Sequence, residues 1–337
     1  MNDEYYMQIC LELAAKGYPN ALPNPMVGCV IVHQNKIIGQ GYHQKFGKEH
    51  AEVNAIASVE NKNFLKESTL YVNLEPCSHF GKTPPCSDLI IKSKLKKVVI
   101  GYIDTFDKVN GKGIEKMKKA GIEVVTNVLE QDCISLNKRF YTFHNKKRPY
   151  IILKWAESKD GFIAPKNQDG PFWMTNNLSK RLVHQWRSIE SAILVGKNTI
   201  IKDNPLLTNR YYDGPNPIRL VIDKDASLSQ DYNIFNDHAL TYVICQKQTQ
   251  YHHLNINFDN FFDQLFSSLY HKNISSLIVE GGRKTLEQFI NSNNWDEARV
   301  FKTDKVLKNG VSAPKFNQTP SLSENIGNVT LSYFLNT

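Results

Sequence analysis

Long hydrophobic runs are missing from this sequence: the longest, Val27–Val32 and Tyr150–Leu153, fall far short of the roughly 20 residues that cross a bilayer. A membrane-spanning protein is thereby excluded, and no membrane partner is expected. Cysteine is scarce as well, at six in 337 residues, which excludes a disulfide-stapled scaffold. Four of the six, Cys10, Cys29, Cys133 and Cys245, sit in apolar segments and are expected to be reduced core thiols. Only Cys77 and Cys86 lie in a polar, proline-rich stretch. The opening Asn2-Asp3-Glu4 lacks the basic segment and following apolar run of a secretory signal, so a cytoplasmic location is expected. There is no low-complexity tract and no repeat of solenoid period. With 41% hydrophobic and 22% charged residues, neither disorder nor a fibrous architecture has compositional support.

What is present is a basic chain of two-domain length. Forty-one Lys and Arg against 33 Asp and Glu leave a net charge of +8, which suits a polyanion or phosphorylated small molecules. The lysines are scattered over presumed helix faces, as at Lys116, Lys118 and Lys119, and form no continuous stripe, so nucleic acid is not expected as a partner. At about 150 residues per domain the length predicts two domains. A basic, proline-ended run, Asn145-Lys146-Lys147-Arg148-Pro149, places the boundary, giving domains 1–146 and 147–337.

Hydrophobic spacing predicts an amphipathic helix over 3–16, capped by Asp3 and stopped by Gly17, then a hairpin of Val27–His33 and Lys36–Tyr42 around Gln34-Asn35. A helix begins near His50. Strands at Thr69–Asn73, Val98–Tyr102 and Glu123–Thr126 alternate with helices near 86–95 and 113–120. Past the boundary the alternation restarts, with buried strands at Tyr150–Ala156, Ala192–Val195, Ile218–Ile222, Tyr242–Cys245 and Ser276–Glu280 and helices near 178–188, 259–271 and 284–292. Glu297–Lys302 and Val329–Phe334 close the second sheet. Both halves are therefore α/β.

His50-Ala51-Glu52 opens an apolar-periodic helix, and Pro76-Cys77 follows, with Cys86 eight intervening residues later. A catalytic zinc takes three protein ligands and leaves a fourth position for water, whose pKa falls towards ~7. His50, Cys77 and Cys86 supply those ligands, and Glu52 is placed to move protons. H-x-E paired with P-C…C is the signature of zinc nucleobase deaminases, whose glutamate shuttles protons without binding metal. Pro76 is expected in the first turn of a helix, with Cys77 near its positive end. The generic pattern has two residues between the cysteines; here there are eight.

The runs Pro23-Asn24-Pro25-Met26-Val27-Gly28, Gly41-Tyr42-His43, His50-Ala51-Glu52-Val53 and Leu74-Glu75-Pro76-Cys77-Ser78-His79-Phe80-Gly81-Lys82-Thr83-Pro84-Pro85-Cys86 closely resemble the bifunctional riboflavin-biosynthesis deaminase/reductase family. The resemblance continues through Lys154, Ser158-Lys159-Asp160-Gly161, Trp173-Met174-Thr175, Asp203-Asn204-Pro205-Leu206-Leu207-Thr208 and Val279-Glu280-Gly281-Gly282, and so covers nearly the whole chain. It implies a cytidine-deaminase-like α/β/α sandwich followed by a dihydrofolate-reductase-like α/β domain. It also implies Zn2+ and NADPH as cofactors, a homo-oligomer, and deamination of 2,5-diamino-6-(5-phosphoribosylamino)pyrimidin-4(3H)-one followed by reduction of its ribosyl group to ribityl. Asn24 and His43 then match positions near the pyrimidine and ribose. Within the long spacer, His79 and Lys82 suit a substrate phosphate.

In the second half Val279-Glu280-Gly281-Gly282-Arg283 follows an apolar strand and precedes a helix, which lets backbone N–H groups approach a cofactor phosphate, and Arg283 suits the 2′-phosphate of NADP. By the resemblance, Lys154 and Asp203 lie nearest the ribose being reduced, with Lys154 as proton donor to the opening ring. Trp173, Thr199 and the turn Gly282, Arg283, Lys284 and Thr285 would touch NADPH, as would Asp203. Arg187, Leu207, Arg210 and Glu280 match substrate positions, two arginines suiting a phosphate. Pro171 stands where many members have serine, and Glu157 replaces a usual small residue beside the cofactor. Two rival readings are a nucleic-acid-editing deaminase, which the eight-residue spacer disfavours, and a degenerate C-terminal oligomerisation module, which NADPH binding would separate from a reductase.

Overall fold

The structure, a computed structural model, describes residues 2–78, 84–103, 111–166 and 172–336. The chain divides into two compact units, Met1–Lys146 and Lys147–Thr337, each with its own sheet.

The first unit runs α1 (Asp3–Ala15), β1 (Gly28–His33), β2 (Lys36–Tyr42), α2 (Ala51–Ser58), β3 (Thr69–Val72), α3 (Cys86–Lys92), β4 (Lys97–Ile100), α4 (Lys112–Lys119), β5 (Glu123–Val125), α5 (Glu130–Leu136) and α6 (Lys138–Lys146). Its sheet has the order β2-β1-β3-β4-β5, antiparallel from β2 to β3 and parallel from β3 to β5. Side chains of a strand point alternately to opposite faces, and β1 uses that alternation to build two cores. Cys29 and Ile31 pack with Ala51, Ala55 and Ile56 of α2, Ile90 of α3 and Met117 of α4. Val30 and Val32 pack with Tyr6, Met7 and Cys10 of α1 and with Cys133 of α5. The result is an α/β/α sandwich. The β1–β2 turn places Gln34 and Asn35 at φ 48° and 62°, the paired positive angles that match the twist of a tight hairpin. Asn2, rather than Asp3, caps α1 by accepting the Tyr5 N–H; the Asp3 carboxylate instead receives the Tyr71 hydroxyl at 2.8 Å.

The second unit runs β6 (Tyr150–Glu157), β7 (Phe162–Pro165), α7 (Asn177–Ile189), β8 (Ala192–Gly196), α8 (Lys197–Asp203), β9 (Ile218–Ile222), β10 (Thr241–Cys245), β11 (His253–Asn255), α9 (Phe261–His271), β12 (Ser276–Val279), α10 (Arg283–Asn291), β13 (Glu297–Thr303), β14 (Gly310–Ser312), β15 (Leu322–Ile326) and β16 (Val329–Leu335). The sheet order is β11-β10-β9-β8-β12-β6-β13-β16-β15, parallel through β13 with two antiparallel strands at one edge, and β7 pairs with β14 in a separate ribbon. Parallel strands covered on both faces read as continuous apolar runs, as Ile151–Leu153, Ala192–Val195 and Leu277–Val279 do, all with no exposed surface or almost none. Leu265, Leu269, Leu286 and Phe289 of α9 and α10 cover one face, and Val183, Trp186 and Ile200 of α7 and α8 cover the other.

The four cysteines expected in the core, Cys10, Cys29, Cys133 and Cys245, are buried and unpaired. No helix among the described residues is long and apolar enough to cross a membrane.

Candidate functional site

Two sites stand out, one in each unit. In the first, the backbone of His50 caps α2, so the imidazole stands at the start of that helix, and Cys86 is the first residue of α3. Gly41 lets α2 lie close against β2, because a Cβ there would come within 2.5 Å of the Ala55 nitrogen. Among the described residues the helix expected at Pro76 is absent: 75–78 are irregular, and the next described helix starts at Cys86. The electrostatic purpose is met through α3 instead, since the Cys86 N–H donates to Cys77 Sγ at 3.3 Å.

His50 Nδ1 lies 3.6 Å from Cys77 Sγ and 3.3 Å from Cys86 Sγ, and all three ligand atoms lie within 4.8 Å of one another. Tetrahedral zinc with ordinary bond lengths puts nitrogen and sulfur ligands roughly 3.6 Å apart, so this donor set fits the ion. A hydrogen bond from Cys86 and the neighbouring imidazole hold the Cys77 thiol down to about 4, the thiolate a metal requires. Glu52, on the first turn of α2 and 3% exposed, has its carboxyl pushed up by burial and then by the Cys77 sulfur. A carboxyl raised towards working pH beside an open metal position is suited to carry protons.

Asn24 and His43 line up beside these ligands. The His43 and His50 rings meet edge to face with centroids 5.7 Å apart. His43 Nδ1 is 3.0 Å from the Glu49 carbonyl, which only accepts, so this nitrogen carries the proton and Nε2 accepts from Asn24 Nδ2 at 3.1 Å. The Asn24 carbonyl oxygen is thereby left to receive an N–H from a substrate. Burial lowers the His43 pKa and keeps the ring neutral. Sequence reasoning missed what holds this loop. Asn73 and Asn137, both buried, donate to the Met26 carbonyl at 3.0 and 2.9 Å, while their side-chain oxygens accept from the Gly28 and Met26 N–H groups at 2.8 Å. It also missed Glu75, whose buried carboxylate accepts from Gly111, Gly113 and Ile114 N–H at 2.9, 3.1 and 3.4 Å and ties the start of α4 to the segment bearing Cys77. His79 and Lys82 lie outside the described residues.

In the second unit a cavity of about 910 Å³ opens at the carboxyl ends of β6, β8, β9 and β12, where open α/β sheets bind ligands. Every residue expected to act in this half lines it: Lys154, Trp173, Arg187, Thr199, Asp203, Leu207, Arg210, Glu280, Gly282, Arg283, Lys284 and Thr285. Glu280 is its electrostatic centre. Arg187 donates to it at 2.8 and 3.3 Å, and the Lys154 ammonium lies 3.8 Å away. Burial opposes ionisation, yet the two cations hold the carboxyl down to about 2. Burial likewise keeps Lys154 below its ordinary value, which makes it a better proton donor. Asp203 ends α8 with its carboxyl raised by burial.

The glycine turn is built for close approach. A Cβ on Gly281 would lie 2.7 Å from that of Thr285, and the Gly282 N–H is held by Thr199 Oγ1 at 3.1 Å. Arg283 pairs with Glu287 at 2.8 Å, one turn along α10, so its charge is already partnered. Leu207 is both core and wall: it is buried among Val183, Trp186 and Ile200 yet faces the cavity, with φ 53°. A branched side chain held in the left-handed region stores strain, as residues at functional sites often do. Glu157 accepts from Trp155 Nε1 at 3.0 Å and is absent from the cavity wall; Pro171 lies outside the described residues. Lys180 and His184 were not anticipated, although with Arg187 they share one face of α7 at helical spacing.

Fold and sites together define a zinc-dependent deaminase joined to a dinucleotide-dependent reductase. Comparisons give the particular family. Residues 1–102 match the cytidine and deoxycytidylate deaminase zinc-binding region, and residues 149–322 match the RibD C-terminal domain. The chain is 39% identical to the riboflavin biosynthesis protein RibD of Aquifex aeolicus, over 92% of this chain and 89% of that one. It is 37% identical to the protein of that name from Bacillus amyloliquefaciens, over 93% and 87%. Its fold matches the solved diaminohydroxyphosphoribosylaminopyrimidine deaminase/5-amino-6-(5-phosphoribosylamino)uracil reductase of Thermotoga maritima with a TM-score of 0.89 and 36% identity, covering 98% and 97% of the two chains. The chain belongs to the RibD family of bifunctional deaminase/reductases. Its deaminase half is zinc-dependent and its reductase half takes NADPH.

Proposed function

We propose that the first unit hydrolyses the C2 amine of 2,5-diamino-6-(5-phosphoribosylamino)pyrimidin-4(3H)-one, releasing ammonia, and that the second reduces the ribosyl group of the product to ribityl. The observation that carries this reading is the His50–Cys77–Cys86 triad with buried Glu52 beside it.

Zinc held by His50, Cys77 and Cys86 supplies an activated water at neutral pH. Glu52 takes the proton of that water, passes it to the ring nitrogen, and delivers a second to the departing amine. Asn24, oriented by His43, accepts a hydrogen bond from the pyrimidine. In the second unit the cavity residues would hold NADPH, which would supply a hydride for the ribose carbon bearing the nitrogen. Lys154 gives its proton to the ring oxygen as the C–O bond opens, with Glu280 fixing the ammonium and Asp203 near the ribose. The Gly281-Gly282 turn and the start of α10 receive the cofactor, and Trp173 and Thr199 border it.

The same reading makes the substrates small phosphorylated pyrimidines rather than nucleic acid, which the long spacer between the zinc cysteines supports. It makes the chain a cytoplasmic enzyme, which six unpaired cysteines suit, and a homo-oligomer, for which β15 offers a sheet edge with exposed residues. The test is a coupled assay that follows ammonia release and NADPH oxidation separately on the diaminopyrimidinone ribosyl phosphate. Both signals are expected; no ammonia from the wild type would end the deaminase assignment.

A further inference from the structure

Arg219, the second residue of β9, has no exposed surface, and strand alternation puts it on the sheet face of Val221, the face that α7 and α8 cover. A buried guanidinium is unfavourable unless its charge and its donors are met. Among the described residues no carboxylate pairs with this one, and burial, unopposed by a neighbouring charge, pulls its pKa down to about 10. Its terminal nitrogens donate instead to neutral oxygens of two loops. Nη1 donates to the Leu206 carbonyl at 3.3 Å and to Asn236 Oδ1 at 2.9 Å, and Nη2 donates to the carbonyls of Asn236, at 2.6 Å, and Ala239. Leu206 lies in the connection from α8 to β9, and Asn236 and Ala239 lie in the connection from β9 to β10.

The Leu206 carbonyl belongs to the peptide group that sets φ of Leu207, which stands at 53°. A leucine leaves the left-handed region when the peptide before it is free to turn. Here neighbouring carbonyls on both sides of Leu207 are held by arginines, that of Leu206 by Arg219 and that of Thr208 by Arg187, each at 3.3 Å. The start of the loop is fixed as well: Asn204 Oδ1 accepts the Asn233 N–H at 2.7 Å, and the Asn204 carbonyl accepts from Asn233 Nδ2 at 2.8 Å. Leu207 thereby forms part of the cavity wall, whereas Arg219 is not among the lining residues. An apolar side chain would serve core packing better than an unpaired buried charge. What the guanidinium adds is a rigid fork that holds one strained peptide beside a ligand cavity.

We propose that Arg219 is a positioning residue of the reductase: from outside the cavity it holds the Leu206 carbonyl, keeps Leu207 in its left-handed conformation, and so sets the wall against which the ribosyl substrate lies. The inference rests on the reductase reading above.

The test uses the full-length protein, wild type and the variants Arg219→Met, Arg219→Lys and Asn236→Ala, with NADPH oxidation followed on the deaminated ribosyl phosphate. Arg219→Met is expected to raise KM for that substrate about tenfold, with kcat and the KM for NADPH within about twofold of wild type. Arg219→Lys keeps the charge and one donor for the carbonyl, and should recover part of the loss. Asn236→Ala removes one acceptor and spares the guanidinium; its KM should rise about threefold, which keeps the proposal testable if Arg219→Met does not fold. A role in stability alone predicts a lower unfolding temperature and less active protein with unchanged KM in every folded variant, and that result overturns positioning. Crystal structures without substrate separate this from failure of the substrate reading. Leu207 at positive φ in the wild type and at negative φ in Arg219→Met, or in Arg219→Lys in its place, supports the proposal even if no nucleotide is turned over. Positive φ in both proteins, or negative φ in the wild type, overturns it.

Discussion

Glu52 and Glu280 are both buried carboxylates, and their neighbours push them in opposite directions. Glu52 is raised first by its burial and then by the electron-rich Cys77 sulfur; Glu280 faces two cations, which overcome its burial and lower it. Opposite shifts suit opposite tasks, one group exchanging protons and the other staying ionised to hold Arg187 and Lys154. Replacing Glu52 by Gln keeps the shape and removes the proton carrier. Ammonia release is expected to fall by about 10²–10⁴-fold while metal analysis still finds one zinc per chain; loss of zinc would make Glu52 a ligand instead. His184 gives a pH signature. Burial, then Arg187 and Arg210, hold it down to about 4 from the usual 6.5, so between these values the unfolded chain binds the extra proton. Stability of the second unit should therefore decline as pH falls from 6.5 to 4, by up to about 3 kcal/mol, and urea unfolding of His184→Asn should show a flatter profile in that window. The His50–Cys77–Cys86 cluster was legible in the sequence because a metal site demands specific residue types in a limited pattern. Lys180 was not, because a lysine on a helix is ordinarily a solvated one, and only the fold places it between Trp173 and Tyr211.

At the scale of elements, strong periodicity found its elements and weak patterning hid the rest. The helices over Asn177–Ile189 and Phe261–His271 and the strands over Ile218–Ile222 and Ser276–Val279 follow the expected ranges within a few residues. The strand β15 gave no signal, since four of its five residues are exposed and there is no alternation to read. The seven-residue α8, and α5 and α6, fill stretches to which no element was assigned. The misplaced helix at Pro76 has an instructive cause. Proline is favoured at a first helical turn, but here Glu75 is engaged by the first N–H groups of α4, so the chain at 75–78 is held as an irregular strut between two helices. Glu75 thus couples α4 to the position of Cys77. Glu75→Ala removes the acceptor for three N–H groups, and chelator competition should show zinc affinity reduced by about 10–100-fold, with Glu75→Gln intermediate. Unchanged affinity would mean that α4 and the zinc loop are independent.

For the whole molecule, the deciding feature is that each chemistry has its own core. The clusters behind the zinc triad draw only on residues of Met1–Lys146, and those beneath the reductase cavity only on residues of Lys147–Thr337. The two compact units divide between Lys146 and Lys147, inside the basic run at 145–149, and a segment that joins two cores need not belong to either. Separate cores imply separable activities. Stripping zinc with a chelator is expected to abolish ammonia release while NADPH oxidation continues on substrate that has already been deaminated. Lys154→Gln is expected to do the reverse, cutting NADPH oxidation by at least about tenfold with ammonia release within twofold of wild type. Metal removal also takes away an interaction that stabilises the folded first unit, so its unfolding transition should move to lower temperature on chelation while that of the second unit stays in place. A loss of both activities on chelation, or a shift of both transitions together, would show that the two units fold and work as one.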